Sequence, residues 1–447
     1  MNPKTLLIAT ASAMACAFAF SGQALAQQQT KLNILWEVLV NGNDYMTTPN
    51  PTERDMFPLR GAFAYVPADA VTGTAPLYRL NNGTDHMDSA ATSEGPYALE
   101  GAIGNPWTSQ SAMTGLHGIS RVFNSAVEHA SIYSGDTIPG YGSEAGFGRY
   151  GYARYNNTAE ALNTLSGGGI TVSSNNVAGG SVWSWVWNGI EFVDHWDYGR
   201  EMQSAVLWFA NDNPNTTPYN PTEAGAYSPP SVAPALRQGS PMVESYNTGL
   251  TQTTRSVPLD FDPTHWGGDA AHPVIYNTMT IGKDVTLDFN GMGNVAQYVT
   301  SVSTDTPITA AEIEMPTTYL PQTFGQFHQY DAQSQTLETA PVPGQPNCSL
   351  PNAGYRYHPA SGYGGLIISN ADQSAAMGVY GRSVDNGGDV QDYVFYDFRN
   401  CSQTSKWSAF REMNLPAGET HLKVWIVTGT LSDVESKMHQ LYVDGVN

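Results

Sequence analysis

Cysteine and charge are both scarce in this chain. Only 3 of its 447 residues are cysteine, and Asp, Glu, Lys and Arg together make up 13%. A small disulfide-dense scaffold is therefore excluded, because such folds need several bridges. Basic residues are the scarcest: 19 Lys and Arg stand against 40 Asp and Glu, which gives a net charge of −21. Phosphate backbones and anionic lipids repel such a chain, so we expect no nucleic-acid partner.

Several catalytic signatures are also missing. The chain has no Gly-x-Ser-x-Gly elbow, no Walker-type phosphate loop, no Cys-x-x-Cys and no His-Glu-x-x-His. A serine esterase, a kinase, a redox protein and a zinc protease therefore have no support. We expect no catalytic cofactor. Gly, Asn, Thr, Ser and Tyr are abundant instead, which is typical of an exported all-β protein.

The longest apolar run is at the N-terminus. Lys4 precedes a nearly apolar stretch over residues 6–20, and an Ala-x-Ala sequence ends at Ala26. This pattern predicts a signal peptide over residues 1–26, cleaved near Ala26. No other stretch is long and apolar enough to span a bilayer. We therefore expect a secreted protein, extracellular or periplasmic, without membrane insertion.

Two cysteines remain after this cleavage. Cys16 is lost with the signal peptide, which leaves Cys348 and Cys401. In an exported protein such a pair predicts one disulfide, worth a few kcal/mol of stability. Free thiols or a metal pair are the alternatives.

Three stretches carry nearly the same pattern. They begin at Leu35, Leu77 and Ile119, so they are 42 residues apart. Each has a short apolar run, a turn with Asn, a second short run and a later glycine-containing strand. A period of this size predicts units that bury their apolar faces by stacking on copies of themselves. The repeats occupy residues 27–152.

The repeats resemble a known tandem repeat. The second copy reads Leu77-Tyr78-Arg79-Leu80-Asn81-Asn82 with Asp85-His86-Met87, and the first keeps Tyr45-Met46-Thr47-Thr48 with Glu53-Arg54. This resembles a repeat of secreted bacterial proteins that has a Tyr-Arg-x-x-Asn start and a His-Phe-Tyr-Thr core. The third copy departs from it at Ala130-Ser131. The resemblance implies a trefoil-like, carbohydrate-binding module whose binding residues are Tyr45, Tyr78, Arg79 and His86. The alternative is that these aromatic residues only fill a shared core.

The remainder of the chain has sequence patterns that predict β-strands. A hairpin is predicted over residues 183–193, because alternating tryptophans precede an Asn188-Gly189 turn. Helical period is found over residues 431–442. Many strands with long loops and no βαβ alternation predict a large antiparallel β-sandwich over residues 181–447, after a linker at 153–180. This part resembles the galactose-mutarotase-like supersandwich of carbohydrate-active enzymes.

Residues 188–203, together with the loop that leads to residue 225, are the densest in potential chemistry. Carboxylates and an imidazole in this region are the candidate catalytic residues: Asp194, His195, Asp197, Glu201 and Glu223. Aromatic and polar side chains that can stack on a sugar or bond its hydroxyls are the candidate substrate-binding residues: Trp196, Tyr198, Arg200, Gln203, Asn220 and His272.

A further polar cluster precedes His272. It consists of Asp260, Asp262, His265, Asp269 and His272. One hypothesis is a structural calcium site, although no EF-hand spacing supports it. The other is ordinary turn chemistry, since Asp and Asn are common in β-loops.

Three functions fit these residue types, all with a polysaccharide or oligosaccharide as partner. A glycoside hydrolase needs paired carboxylates. A polysaccharide lyase needs a base beside a group that neutralises the substrate carboxylate, which His195, Tyr198, Arg200 and His272 would supply. A non-catalytic glycan-binding or surface structural protein needs neither. The negative charge disfavours a polyuronate, so hydrolysis or binding is favoured over lysis. The function we expect first is that of a secreted carbohydrate-active protein whose N-terminal repeats bind the glycan and whose C-terminal sandwich cleaves glycosidic bonds with paired carboxylates. The binder and the lyase are the alternatives.

Overall fold

Within the residues that the structure describes, the protein is all-β with two short α-helices. The computed structural model describes residues 29–112, 116–124, 128–133, 137–144, 147–153, 162–195, 199–210, 213, 216–225, 239–269, 272–344 and 354–446. The predicted signal peptide lies outside the described residues. Within them, neither helix has the length and apolarity to cross a membrane.

The three repeats form an N-terminal unit, residues 29–153, which we call the repeat module. Its elements are β1 Gln29–Val40, β2 Asp44–Thr48, α1 Pro51–Met56, β3 Leu59–Pro67, β4 Leu77–Asn81, β5 His86–Ser89, β6 Ser93–Glu94, β7 Tyr97–Gly104, β8 His117–Asn124, β9 Glu128–Tyr133, β10 Gly142–Ser143 and β11 Arg149–Ala153.

Each repeat makes one small antiparallel sheet with the same strand order. The first strand is central and pairs with the second strand on one side and the last strand on the other: β2-β1-β3, β5-β4-β7 and β9-β8-β11. The second strands, β2, β5 and β9, contact one another. They therefore surround an approximate threefold axis. The predicted internal repetition is real structure, while the trefoil-like assignment stays a prediction.

The rest of the chain supplies the larger unit. Its elements are β12 Leu162–Gly167, β13 Ile170–Asn175, β14 Val182–Trp187, β15 Ile190–Glu191, β16 Met202–Phe209, β17 Pro218–Tyr219, β18 Pro221–Thr222, β19 Met242–Thr248, β20 Thr251–Ser256, β21 Leu259–Asp260, β22 Val274–Tyr276, β23 Met279–Thr286, β24 Val295–Thr304, β25 Ile308–Pro321, β26 Phe324–Asp331, β27 Thr336–Thr339, β28 Tyr355–Tyr357, β29 Tyr363–Asn370, β30 Ala376–Arg382, β31 Asp392–Asp397, β32 Thr404–Leu415, β33 Gly418–Gly429 and α2 Leu431–Val443.

Two large antiparallel sheets form the predicted sandwich. One has the order β12-β13-β14-β16-β25-β32-β31-β28. The other has the order β19-β20-β23-β24-β33-β30-β29-β26-β27. The predicted Asn188-Gly189 hairpin joins β14 to β15, and both turn residues have positive φ. The antiparallel sandwich expected from the sequence is confirmed.

Strand β33 shows how alternation builds two cores. Leu422, Val424 and Ile426 face the core between the two sheets. Trp425 and Val427 point the other way and pack under α2. Successive side chains of a strand point to opposite faces, so one strand serves both cores. The helix expected over 431–442 is confirmed, and Thr430 caps it through a reciprocal bond with Asp433.

The repeat module and the sandwich share a core. The start of β1 pairs with β22 of the sandwich. Leu32, Ile34 and Tyr65 of the module pack in one cluster with Leu259 and Ile275. The predicted linker at 153–180 is wrong in part, because β12 and β13 within it are paired strands of the sandwich. Its Ser/Thr/Asn content still suits strands, since hydroxyl pairs bond across the hairpin.

Candidate functional site

The predicted catalytic carboxylates fall into a buried group and a surface group. Glu201 and Glu223 are both 0% exposed. Asp194 is half-buried and His195 is exposed, while Asp197 lies outside the described residues. A glycosidase acid must reach the oxygen of the scissile bond. Glu201 and Glu223 lack the exposed surface that this role needs, and their assignment to catalysis stays a prediction.

Glu223 belongs instead to an ion pair between the two sheets. The Nζ atom of Lys283 in β23 lies 2.9 Å from Glu223 Oε1. It also donates to Thr254 Oγ1 at 3.0 Å and to the carbonyl oxygen of Gly180. The Ser204 N–H in β16 donates to Glu223 Oε2 at 2.7 Å. Burial lowers the pKa of Lys283, and the charge of Glu223 opposes that shift. The pair is a structural tie in the core.

The substrate-binding candidates near this ion pair differ in burial and in whether the structure describes them. Gln203 is 2% exposed, and its Oε1 accepts from the Ala224 N–H at 2.9 Å. Gln203 is thus engaged by the backbone beneath the surface, and its substrate-binding role stays a prediction. Arg200 is half-buried, and Trp196 and Tyr198 lie outside the described residues. Those three assignments stay predictions.

At the surface, the His195 ring lies tilted against the ring of a tryptophan. Its ring lies 5.0 Å from that of Trp183, with an angle of 31° between the planes. Trp183 is the first of the alternating tryptophans of β14 and is half-buried. Asp194 is held by its backbone, which donates to the carbonyl oxygen of Tyr319 at 2.8 Å.

A second surface region contains three rings in a continuous stack, which we call the aromatic stack. Trp208 in β16 faces Tyr219 in β17, with ring centres 4.8 Å apart and planes 24° apart. Tyr219 in turn faces Trp266, at 4.2 Å and 12°. Trp208 is 7% exposed and Trp266 is 36% exposed. The stack therefore runs from the core to the solvent.

Trp266 has an unusual backbone for a large residue. Its φ and ψ are 55° and 29°, in the left-handed region. A bulky residue rarely adopts this conformation, because its Cβ crowds the backbone, and such strain is often found at functional sites. Gly267 follows it with a φ of 78°. The two positive φ values present the indole ring on the surface, and stacking on Tyr219 holds it there.

A buried aspartate organises the loops around the aromatic stack. Asp260 is 0% exposed. Its Oδ1 accepts from His265 Nδ1 at 2.9 Å and from the Asp262 N–H at 3.0 Å. Its Oδ2 accepts from the Asn220 N–H at 3.1 Å and from the Tyr276 hydroxyl. The hydrogen bond to Asp260 raises the pKa of His265. The predicted polar loop and Asn220 are thus brought together.

This cluster does not fit the calcium hypothesis. A carboxylate offers about four lone-pair positions, and Asp260 already accepts four hydrogen bonds. His272 contacts Asp269 instead, with its Nδ1 at 3.0 Å from Oδ1. In the part of the loop that the structure describes, no three carboxylate or imidazole ligands converge. Turn chemistry explains these residues, as the alternative hypothesis states.

In the repeat module, the structure brings Arg79 and His86 together around one carboxylate. Arg79 makes a fork with Glu53, at 2.8 and 3.1 Å, and its Nε lies 2.6 Å from Glu100. His86 Nε2 lies 3.6 Å from Glu100, and its Nδ1 lies 2.6 Å from Asp44. Burial lowers the pKa of His86, but Asp44 and Glu100 outweigh it, so the pKa is raised. A pocket of about 180 Å³ lies beside Arg79.

The same arrangement recurs one repeat later. Arg121 lies 3.0 Å from Glu94 and 2.6 Å from Glu144. His129 Nε2 lies 3.7 Å from Glu144, and its Nδ1 lies 2.6 Å from Asp85. Each arginine thus joins a carboxylate of its own repeat to one of the preceding repeat. These networks hold neighbouring repeats together.

The first repeat carries the inverse charges. Glu37 lies opposite Gly61 as Arg79 lies opposite Gly101. Glu37 therefore takes the place of Arg79, and Arg60 takes the place of Glu100. Tyr45 replaces the histidine, and the Arg60 guanidinium lies 5.6 Å from its ring centre. The three repeats are equivalent in backbone but not in charge.

The two module tyrosines pack in small cores. Tyr45 meets Tyr141 edge to face, with ring centres 5.6 Å apart. Tyr78 packs on a cluster that contains Leu80 and Met87. Tyr45 and Tyr78 are both half-buried. These contacts favour the core-filling alternative for the tyrosines, and their sugar-binding role stays a prediction.

Sequence reasoning missed Trp208, Tyr219 and Trp266. The three rings are far apart in the chain, so no local pattern joins them. Tyr219 was part of a loop already noted for its Asn and Glu residues, and Trp266 lies beside the polar loop residue His265. A tryptophan followed by two glycines, at residues 266–268, was the available signal for an exposed ring.

Comparisons with known proteins give distant structural likenesses. No family model and no curated protein sequence matches the chain. A protein from Klebsiella pneumoniae described as a putative aldose 1-epimerase matches over 64% of this chain and 84% of its own, at 9% identity and a TM-score of 0.38. A galactose mutarotase-like protein from Clostridium acetobutylicum matches 61% and 98%, at 8% and 0.33. A 4-alpha-glucanotransferase from Thermococcus litoralis matches 61% of this chain and 38% of its own, at 9% and 0.30.

The structural neighbours include a galactose mutarotase-like protein, in agreement with the resemblance noted from the sequence of the C-terminal part. At such TM-scores and identities they carry no argument about activity.

Proposed function

We propose that this is a secreted carbohydrate-binding protein that holds a glycan against Trp266 at the outer end of the aromatic stack. The observation that carries the proposal is the stack itself: three rings in face-to-face series, of which the last is 36% exposed. Sugar rings have apolar faces that pack on aromatic rings, and a rigid, pre-positioned ring binds with little loss of conformational freedom.

Polar groups around Trp266 can orient a bound sugar through hydrogen bonds. His265 precedes it in the loop and is oriented by the buried Asp260 carboxylate. Asp262 and Asn220 are half-buried beside the same carboxylate, so their side chains remain in reach of solvent. Hydroxyl groups of a sugar are recognised by a few fixed donors and acceptors of this kind beside an apolar surface.

Binding is favoured over hydrolysis because of the core ion pair. Two of the predicted catalytic carboxylates, Glu201 and Glu223, have no exposed surface. Glu223 is moreover neutralised by Lys283 at 2.9 Å. The predicted signal peptide and the strongly acidic composition suit an exported protein whose ligand is neutral, and export is part of this proposal.

The test is a polysaccharide panel that is read for both binding and cleavage. The chain from residue 27 onward is titrated against neutral glucans, galactans, xylans and mannans by affinity electrophoresis and calorimetry. We expect Trp266→Ala to weaken binding of the best ligand at least tenfold, with Trp266→Tyr intermediate. Tyr246→Ala is the matched control, because Tyr246 is an exposed aromatic residue (48%) of β19 outside the stack.

Two results would contradict the proposal. If Trp266→Ala binds every ligand as the unmodified protein does, the aromatic stack is not the binding site. If any polysaccharide gains reducing ends or unsaturated products during incubation, the protein is an enzyme and binding alone does not describe it. Circular dichroism of each variant shows that its fold is intact.

A further inference from the structure

Three acidic residues at equivalent positions of the three repeats meet at the axis of the repeat module. Asp44 begins β2, Asp85 precedes β5, and Glu128 begins β9. Because these strands contact one another, each repeat delivers one carboxylate to the same place. One oxygen of each lies within 4.8 Å of the other two. The residues are 4%, 2% and 7% exposed, respectively.

Two of the three carboxylates have donors of their own. Asp44 accepts from the backbone N–H of His86 at 2.9 Å and from its Nδ1 at 2.6 Å. Asp85 accepts from His129 in the same way, at 3.1 and 2.6 Å, and from the Tyr97 hydroxyl at 2.6 Å. These bonds fix both carboxylates and leave a free lone pair on each oxygen of Asp44 and on Oδ1 of Asp85, while Oδ2 of Asp85 already accepts two bonds.

Glu128 differs from the other two. Its Oε1 accepts one bond, from Asn43 Nδ2 at 3.0 Å. Its Oε2 is shielded from solvent and has no hydrogen-bond partner in the described part of the chain. A buried carboxylate oxygen without a donor is costly, since it has lost its water and gained nothing in return. This oxygen is the observation, independent of the clustering, that points to a ligand.

We propose that Asp44, Asp85 and Glu128 bind one calcium ion at the axis of the repeat module. Calcium takes oxygen ligands at about 2.3–2.6 Å, so two of its ligands can stand up to about 5 Å apart. The measured spread of the three oxygens is within that limit. Magnesium demands shorter and more regular distances. Zinc, copper and nickel favour thiolate or imidazole ligands. The site offers carboxylates only, since the Nδ1 atoms of His86 and His129 are already bonded to Asp44 and Asp85.

The position of the ion gives it a structural role. Its ligands come from three different repeats, so a single ion would tie all three sheets of the module to one another. The site is in the repeat module, whereas the proposed glycan site is in the sandwich. The two proposals are therefore independent.

The experiment uses the full chain from residue 27, dialysed against EDTA and then against chelator-free buffer. We expect calorimetric titration with CaCl₂ to show one ion per chain, and calcium to raise the melting temperature by several degrees more than magnesium does. Glu128→Gln is expected to weaken calcium binding at least tenfold while glycan binding is kept. Glu244→Gln is the control, because it removes an exposed charge of β19, outside the repeat module.

The proposal is overturned if the unmodified protein takes up no calcium below about 1 mM, the affinity range of the weak extracellular calcium modules. That result does not depend on any variant folding. Preference for magnesium overturns the identity of the ion. Equal calcium response in folded Glu128→Gln and Glu244→Gln proteins overturns the placement of the site.

Discussion

At the scale of single residues, the main finding is that ionisable side chains of catalytic type form a buried ion pair in the core. Glu223 and Lys283 have the residue types of a catalytic pair, and both are 0% exposed. Sequence spacing places Glu223 near the other candidates, but it carries no information about whether a side chain is buried. Only the pairing of β16 with β18 and the position of β23 beneath them decide that the carboxylate points inward.

We expect Glu223→Gln to lower the free energy of unfolding by about 3–5 kcal/mol, because it leaves the Lys283 ammonium buried without its counter-charge. Urea unfolding followed by tryptophan fluorescence measures the change. Glu244→Gln, on the exposed side of β19, is the control and should change stability by less than about 0.5 kcal/mol. The double variant Glu223→Leu with Lys283→Met should regain most of the loss. An equally unstable double variant would argue against the ion-pair explanation.

Glu312 predicts a pH dependence of stability. Burial, and then the neighbouring charge of Glu314, raise the pKa of Glu312 to about 7. A carboxyl whose folded pKa is raised favours the folded state below its unfolded pKa, near 4.5, and loses that contribution as the pH rises through 7. We expect stability to fall between pH 5 and pH 8 by about 1–3 kcal/mol from this group, since one pKa unit corresponds to about 1.4 kcal/mol.

Chemical denaturation at a series of pH values tests this. Glu312→Gln should flatten the curve between pH 5 and pH 8 and be the more stable protein at pH 8. Glu419→Gln, whose side chain is 50% exposed, should leave the curve unchanged. A Glu312→Gln curve as steep as that of the unmodified protein would show that the pH dependence has another source.

At the scale of elements, local sequence patterns were reliable where the pattern is self-contained. The hairpin at Asn188-Gly189 and the helix over residues 431–442 are both in the structure, because turn chemistry and helical period act within a few residues. The six-residue helix α1 was missed, since Pro51–Met56 is too short to show a period. The aromatic stack was missed because it is assembled from β16, β17 and a loop that are distant in the chain.

The arginines of the repeat module allow a prediction about its elements. Arg79 is 13% exposed and bridges carboxylates of two repeats. We expect Arg79→Lys to cost about 1 kcal/mol, because an ammonium cannot reproduce the two-pronged contact with Glu53. Arg79→Ala should cost about 2–3 kcal/mol, since Glu53 and Glu100 are left without their counter-charge.

Thermal and urea unfolding of the two variants measure these costs. Arg356→Lys is the matched control, because Arg356 is 52% exposed in its pair with Asp392 and such exposed pairs contribute little. Losses of the same size at Arg79 and Arg356 would mean that the network between repeats adds no stability of its own.

At the scale of the whole molecule, the sequence suggested separate domains and the structure shows a shared core. A Ser/Gly/Asn-rich segment reads as a linker because those residues are common in loops, yet the same residues form β12 and β13 here. Whether a polar strand is paired depends on a distant partner, which no local pattern reveals. The boundaries of the repeats were predictable because repetition is visible in the sequence itself.

We expect the chain from residue 27 to unfold in one cooperative transition, since Leu32 and Ile34 of the module pack with Leu259 and Ile275 of the sandwich. Differential scanning calorimetry measures this. Leu32→Ala should lower the temperature of that single transition and cost about 2–5 kcal/mol. Phe123→Ala, at an exposed position of the same module, is the control. Two separate transitions would show that module and sandwich are independent.

The inverted charges of the first repeat limit the order in which repeats can be joined in the repeat module. Proteins built from copies of one unit risk exchanging units between molecules or adding another copy. If the first repeat followed another copy of itself or the second repeat, Glu37 would meet Glu53 or Glu94, and like charges would face each other. The negative charge of Glu37 therefore disfavours any arrangement in which the first repeat follows itself or the second. A single inverted charge thus opposes the exchange of repeats between neighbouring molecules.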